Sequence, residues 1–210
     1  MKNLVVFLVL VISSVSMAIL IPLQNSGFES PVLAEGGLSN TGLTGWTNDT
    51  PARAFRIWNV ESSYPVQPTE GNNFMWLAPA GSSFQMSQIT STAIEAGKQY
   101  SLSFDVAMVS SFGGVPAYVA TVYTTTGGVS SRVASRLLAT TGSVSIPLDN
   151  VWRTVTLTWD STGTAFAGEK FDIILGGKAM IDNVQLSVVP EPATMAVMGL
   201  GLLFSRIRRR

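Results

Sequence analysis

Large apolar residues fall on every second position through much of this chain. In Tyr100-Ser101-Leu102-Ser103-Phe104-Asp105-Val106 the apolar face is Tyr100, Leu102, Phe104 and Val106. In Arg153-Thr154-Val155-Thr156-Leu157-Thr158-Trp159 it is Val155, Leu157 and Trp159. A period of two marks a half-buried antiparallel strand, because successive side chains point to opposite faces. Further runs at 54–60, 74–77, 84–90, 117–124, 132–139, 171–175 and 180–188 predict strands. Turn residues separate them, among them Gly81-Ser82-Ser83, Gly113-Gly114, Gly127-Gly128 and Gly176-Gly177. No internal segment carries a sustained 3.6-residue stripe, although 132–140 fits a helix as well as a strand. Many short strands at this spacing predict an all-β fold, an antiparallel β-sandwich of the jelly-roll kind. Trp46, Trp76, Trp152 and Trp159 are expected mostly in its core.

The two ends break the pattern. Lys2 precedes an apolar run from Leu4 to Val15, and Ser16-Met17-Ala18 places small residues before a cleavage point. This has the form of a secretory signal peptide cut between Ala18 and Ile19. At the other end Pro190-Glu191-Pro192 precedes an apolar run of 12 residues, 193–204, and then Arg206, Arg208, Arg209 and Arg210. As a helix that run spans about 18 Å, short against the ~30 Å of a bilayer core. Arginines at its end can snorkel to the cytoplasmic surface. The prolines keep the preceding chain extended, as a protease requires. The expected organisation is a signal peptide at 1–18, a sandwich domain at 19–189, and a sorting segment with a short hydrophobic helix at 190–210.

Composition narrows the function. The charge of the whole chain is zero, but the ends hold five of the basic residues. The body retains 12 acidic and 8 basic residues, which argues against nucleic acid. There is no Cys and no His. That removes Ser-His-Asp triads and His- or Cys-ligated zinc. Only oxygen ligands remain, which suit calcium.

The tail resembles the PEP-CTERM sorting signal of Gram-negative bacteria, through Pro190, Glu191, Pro192, the run 193–204 and the closing arginines. The resemblance implies export, transient or lasting membrane attachment, and processing by an exosortase-type membrane protease. It also implies a place at the cell surface or in the extracellular matrix of a species that makes extracellular polysaccharide. Three stretches of the body resemble the galactose-binding-like jelly roll of carbohydrate-binding modules. They are Asn25-Ser26-Gly27-Phe28-Glu29 with Gly45-Trp46, then Ala96-Gly97-Lys98-Gln99-Tyr100, and finally Trp152-Arg153-Thr154-Val155 with Ile181-Asp182-Asn183-Val184. The resemblance implies a structural calcium, with Glu29 and Asp182 matching the family's carboxylates and Glu70, Gly71 and Asn72 near its mid-chain contributor. First and last strands that pair would bring Glu29 and Asp182 together, and like charges in contact need a cation or water. The bland alternative is that Asp182 caps a turn and Glu29 pairs with an arginine.

Sugar rings stack their C–H faces on aromatic side chains and bond their hydroxyls to polar edges. Trp58 and Tyr64 are the candidate contacts, with Tyr118 and Tyr123 behind them and Arg56, Asn59 and Gln67 nearby in sequence. A glycosidase needs two carboxylates at a defined separation, and no motif sets such a pair. The body therefore reads as non-enzymatic. The expected function is association with extracellular polysaccharide, the alternative a structural matrix component without a specific glycan. Thr154, Thr156 and Thr158 on one strand face read as ordinary outward polarity.

Overall fold

In the computed structural model the described residues are 18–41, 43–49, 55–77, 84–111, 115–126, 136–161 and 167–189. They contain strands and no helix. No helix among them is long and apolar enough to cross a membrane. The signal peptide, the sorting motif and the C-terminal hydrophobic helix expected from sequence lie outside them, apart from Ala18 and Ile19 on either side of the predicted cleavage point.

Thirteen strands follow in chain order among these residues: β1 (Ile19–Ile21), β2 (Leu38–Ser39), β3 (Thr47–Asn48), β4 (Phe55–Trp58), β5 (Phe74–Leu77), β6 (Phe84–Ala93), β7 (Gln99–Ala107), β8 (Ala117–Thr125), β9 (Leu137–Thr140), β10 (Val144–Ser145), β11 (Arg153–Asp160), β12 (Lys170–Lys178) and β13 (Met180–Val189). They form two antiparallel sheets. Sheet A runs β11-β7-β13-β5-β4-β2, with β1 also on β13. Sheet B runs β10-β8-β12-β6-β3, with β9 also on β8.

The core lies between the sheets and is built from the apolar half of each alternation. Tyr100, Leu102, Phe104 and Val106 of β7 are buried, as are Ile173 and Leu175 of β12. Trp46 and Trp159 join this core as expected. Trp76 and Trp152 do not, and are only partly buried. Burying apolar area contributes roughly 25 cal/mol per Å², so two facing layers of this kind hold the sandwich without disulfides.

The Gly176-Gly177 pair was expected to end a strand. Instead β12 runs through it, because β6 and β8 supply ladder partners on both sides. Gly177 has φ +114°, and a Cβ there would lie 2.2 Å from the Ala117 carbonyl oxygen. Glycine is needed here for close approach rather than for a turn. Within 132–140 the described strand is β9 alone, and 131–135 lie outside the described residues.

Candidate functional site

Strand register decides what the outer face of sheet A carries. Met180 lies opposite both Ala107 and Trp76, and Trp76 opposite Arg56. One step along, Asp182 lies opposite Asp105, and Asp105 opposite Thr154. Phe74 lies opposite Trp58. The residues between them, Val106, Ile181, Met75 and Ile57, point into the core and are buried. Alternation therefore puts Trp58, Phe74, Trp76, Met180, Asp105 and Asp182 together on the other face.

The aromatic members make a platform. Trp58 and Trp76 stack with ring centroids 5.4 Å apart and planes 12° from parallel. Tyr64, from the connection between β4 and β5, closes on Trp58 at 4.5 Å. Phe74 is fully buried beneath them, 5.9 Å from both Trp58 and Trp152. Met180 and Ala107 complete the covered layer. Trp58, Tyr64, Trp76 and Trp152 stay partly exposed above it. Burial raises the Tyr64 phenol above its ordinary pKa, so it is neutral at physiological pH. Trp76 Nε1 is buried and has no hydrogen-bond acceptor.

Two polar residues expected near a sugar are committed elsewhere. Asn59 Nδ2 donates to the Leu33 carbonyl at 2.8 Å. Gln67 Nε2 donates to the carbonyls of Tyr64 at 2.8 Å and Glu61 at 3.0 Å. The Gln67 carbonyl in turn accepts from Trp152 Nε1 at 2.5 Å. These bonds fold the β4–β5 connection onto the platform. Arg56 is half-buried beside Trp76 and makes no hydrogen bond or ion pair among the described residues. Tyr118 is buried in the core rather than displayed, and Tyr123 lies on sheet B.

The carboxylates anchor the same connection. Asp182 is fully buried. Its Oδ2 accepts from Thr69 N at 2.7 Å, Glu70 N at 3.1 Å and Thr69 Oγ1 at 3.1 Å, and its Oδ1 from Asn183 N at 2.8 Å. Burial pushes its pKa up to about 7, against the lowering effect of those donors. Glu29 Oε1 accepts from Asn72 N at 3.0 Å and Asn73 N at 2.8 Å. Gly71 sits between them at φ +63°, where a Cβ would lie 2.4 Å from the Glu29 carboxylate. Asp105 is buried too, accepting from Thr154 Oγ1 at 2.6 Å and Asn183 Nδ2 at 3.2 Å.

This arrangement corrects one expectation. β1 does pair with β13, but Glu29 lies beyond β1 in the loop that follows. Glu29 and Asp182 are joined through the backbone N–H groups of 69–73, which answer both charges. For calcium the fit is divided. Asp182 Oδ2 already has three donors, and Asn72 offers Glu29 an N–H rather than an oxygen. Among the described residues the second oxygen of Glu29 accepts no donor, and the Asn73 side-chain oxygen is buried and unpartnered. Those two oxygens have the hardness calcium prefers. Among the described residues no group of three or more acidic side chains is arranged to hold a metal.

Sequence reasoning named Trp58 and Tyr64, and the structure brings them together. It missed Trp76, Thr69, Asn73 and Asp105 as members of the same region. The signal was present in β5, where Phe74-Met75-Trp76-Leu77 is apolar on both faces, so one face needs a second covering layer.

Across the body, residues 19–187 match the sequence model of the HpiC1-like family, described as HpiC1 cyclase. The chain belongs to the HpiC1-like family. Residues 188–210 match the PEP-CTERM protein-sorting motif, so Pro190, Glu191, Pro192 and the closing arginines belong to a bacterial export and cell-surface sorting signal. No curated protein matches the chain in sequence. Its fold is similar to that of the Stig cyclase Fisc from Fischerella sp. TAU, crystallised with (3Z)-3-(1-methyl-2-pyrrolidinylidene)-3H-indole. The TM-score is 0.66 at 19% identity, over 83% of this chain and 99% of that one. A cyclase from Fischerella sp. TAU in complex with 4-(1H-indol-3-yl)butan-2-one gives TM-score 0.66 at 19% identity, over 82% and 98%. Carbohydrate-binding modules are looser neighbours. The CBM22-1 xylan-binding domain of Paenibacillus barcinonensis Xyn10C gives TM-score 0.47 at 10% identity, over 70% and 87%.

Proposed function

We propose that this HpiC1-like protein acts outside a Gram-negative cell, holding extracellular polysaccharide on the aromatic platform of sheet A without transforming it. The observation that supports this most is the stacked Trp58–Trp76 pair, partly exposed, with Tyr64 and Trp152 at its rim. The aromatic surface that these rings leave partly exposed suits the C–H face of a sugar ring. Arg56, which makes no hydrogen bond or ion pair among the described residues, is a donor beside these rings. It suits a ligand rich in acceptor oxygens, as sugars are. The tail delivers the body to the polysaccharide, through an exosortase-type protease acting at Pro190-Glu191-Pro192.

Catalysis is the weaker reading on local chemistry. Asp182 Oδ2 is saturated by three donors, and Asp105 holds a donor on each oxygen. Neither has a carboxyl oxygen without a protein partner. One observation favours a second reading, in which the platform takes a flat aromatic substrate and Asp182 supplies a proton: its pKa near 7 suits a general acid. Titration of the exported chain against a polysaccharide panel and against 4-(1H-indol-3-yl)butan-2-one separates the two. We expect glycan binding that weakens about tenfold in Trp58→Ala, equivalent to ~1.4 kcal/mol. Binding of the indole alone would reverse the order of the readings, and binding of neither would favour a purely structural matrix role.

A structural calcium forms part of the proposal. Glu29 and the unpartnered Asn73 oxygen would hold it, and it would tie the 25–31 loop to 69–73. Calcium is expected to raise the melting temperature of the chelator-treated protein, and Glu29→Gln to abolish that rise.

A further inference from the structure

On the reading that the platform holds polysaccharide, we infer that this polysaccharide is acidic: a uronate residue rests its ring on the aromatic surface and pairs its carboxylate with Arg56. Arg56 stands in β4 between Phe55 and Ile57, both buried in the core. Alternation turns it outward with Trp58, two residues along the same strand. Across the ladder its partner is Trp76. Directly opposed residues in a sheet have Cβ atoms about 5 Å apart, so Arg56 lies at the side of the Trp58–Trp76 pair.

Arg56 is half-buried, and no carboxylate of the body answers it. The 12 acidic residues of the body all lie among the described residues, and none is within ion-pair distance of Arg56. Outside the described residues the chain has one further acidic side chain, Glu191 in the sorting motif. Arg153, by contrast, is paired with Asp149. The two carboxylates that share the outer face with Arg56 have donors of their own. Asp105 is held by Thr154 and Asn183, and Asp182 by Thr69, Glu70 and Asn183. A half-buried cation has given up part of its water. The planar fork of an arginine recovers most from a carboxylate, which it can bind bidentately.

A uronic acid supplies both parts of the contact. Its ring has the C–H face of any hexose, and its carboxylate is carried at the ring edge. A sugar lying on the partly exposed surface of Trp58, Tyr64 and Trp76 therefore turns that carboxylate toward a cation beside the platform, where Arg56 stands. Charge elsewhere does not draw the ligand in. The body has 12 acidic against 8 basic residues, so it offers a polyanion no broad attractive field. The screening length of about 8 Å at physiological salt limits that repulsion and leaves a close pair intact. One arginine beside aromatic rings makes a site for one acidic sugar, and not a general surface for densely charged chains.

The test titrates the full chain in mild detergent with polygalacturonate and with alginate. Each is compared with its carboxyl-reduced form, in which a CH2OH group replaces the carboxylate and the ring is unchanged. At least one acidic form should bind about tenfold more tightly than its reduced form. Arg56→Gln should remove that preference and leave affinity for the reduced form unchanged, which also reports that the variant is folded. Arg56→Lys keeps the charge but loses the fork, and should retain roughly a third of the preference. Lys170→Gln removes the same charge from an exposed position on β12 of sheet B, and should leave the preference at its wild-type value. Equal affinity for acidic and reduced forms, or a preference that survives Arg56→Gln, would overturn the acidic ligand. Polysaccharide binding itself would still stand if the reduced forms bound in a Trp58-dependent way. A preference lowered as much by Lys170→Gln as by Arg56→Gln, or tighter binding of dextran sulfate than of either polyuronate, would show that charge alone is read and would overturn it too. Binding of none of these polymers would remove both the acidic ligand and the polysaccharide reading beneath it.

Discussion

The outer face of sheet A has two halves built by one alternation and filled in opposite ways. Over β4, β5 and the start of β13 it carries Trp58, Phe74, Trp76 and Met180. Over β11 and β7 it carries Thr154, Thr156, Thr158, Ser101 and Ser103. Period two says which side chains leave the core; it does not say whether they meet water. On the polar half Thr154, Thr156 and Thr158 do, and Ser101 and Ser103 do in part. On the aromatic half a 15-residue connection, 59–73, folds over the sheet and covers what the strands expose. Connections that long without strands of their own are uncommon and tend to carry function. An apolar outward face under a long connection is therefore a better pointer to a site than any single tryptophan.

The connection is held by buried charge, and removing it is the strongest way to erase the contrast between the halves. Asp182→Ala leaves the N–H groups of Thr69, Glu70 and Asn183 without their acceptor. Each orphaned donor costs about 1–3 kcal/mol, so a loss of roughly 3 kcal/mol or more is expected in urea unfolding. The pH dependence carries the same signature. Burial raises the folded-state pKa of Asp182 to about 7, above the ~3.9 of an unfolded chain. The folded state then binds the proton more tightly, and the stability this gives is complete below pH ~4 and lost as pH rises through about 7. Asp182→Asn should flatten that decline. An unchanged slope would mean that another group titrates in this window.

Of intermediate size is Trp58→Ala. It opens the aromatic half by removing a ring that touches Tyr64, Phe74 and Trp76. A partly buried ring of this kind is worth about 2 kcal/mol, less than a fully buried one. Melting should show it, together with the tenfold loss of glycan affinity. A variant with full stability and lost binding would make Trp58 a ligand contact alone; the reverse would make it a covering residue alone.

The strands were legible in the sequence because alternation survives in single windows: β5 matches its expected bounds, and β7, β8, β11 and β13 differ by one residue at each end at most. The two-residue strands β2, β3 and β10 were not, because two residues carry no period. Trp58 and Tyr64 were legible as aromatic candidates beside a loop. Their union with Trp76 and Trp152 was not, because it depends on which strands are neighbours: β5 reaches β13 and β7 only through sheet order. The Glu29 and Asp182 pair was read as like charges in need of a cation or water, with a turn-capping Asp182 and an arginine-paired Glu29 as the alternative. The structure answers each carboxylate with backbone N–H groups, which a sequence does not display. Family motifs located both residues all the same, because Asn25 staples the first loop through its bonds with Ser30 and the Asn183 bulge offsets the β7–β13 register beside Asp182.

The smallest expected effect is the sharpest check on the comparison. Thr158→Ala touches the polar half, where the hydroxyl is exposed and makes no hydrogen bond among the described residues. Surface changes of this kind fall within about ±0.5 kcal/mol. Melting temperature and glycan affinity should both stay at wild-type values, while Trp58→Ala moves both. If Thr158→Ala weakened glycan binding as much as Trp58→Ala, the ligand would span both halves and the platform would be only part of the surface it uses. If it altered stability instead, the threonine row would be packed against something.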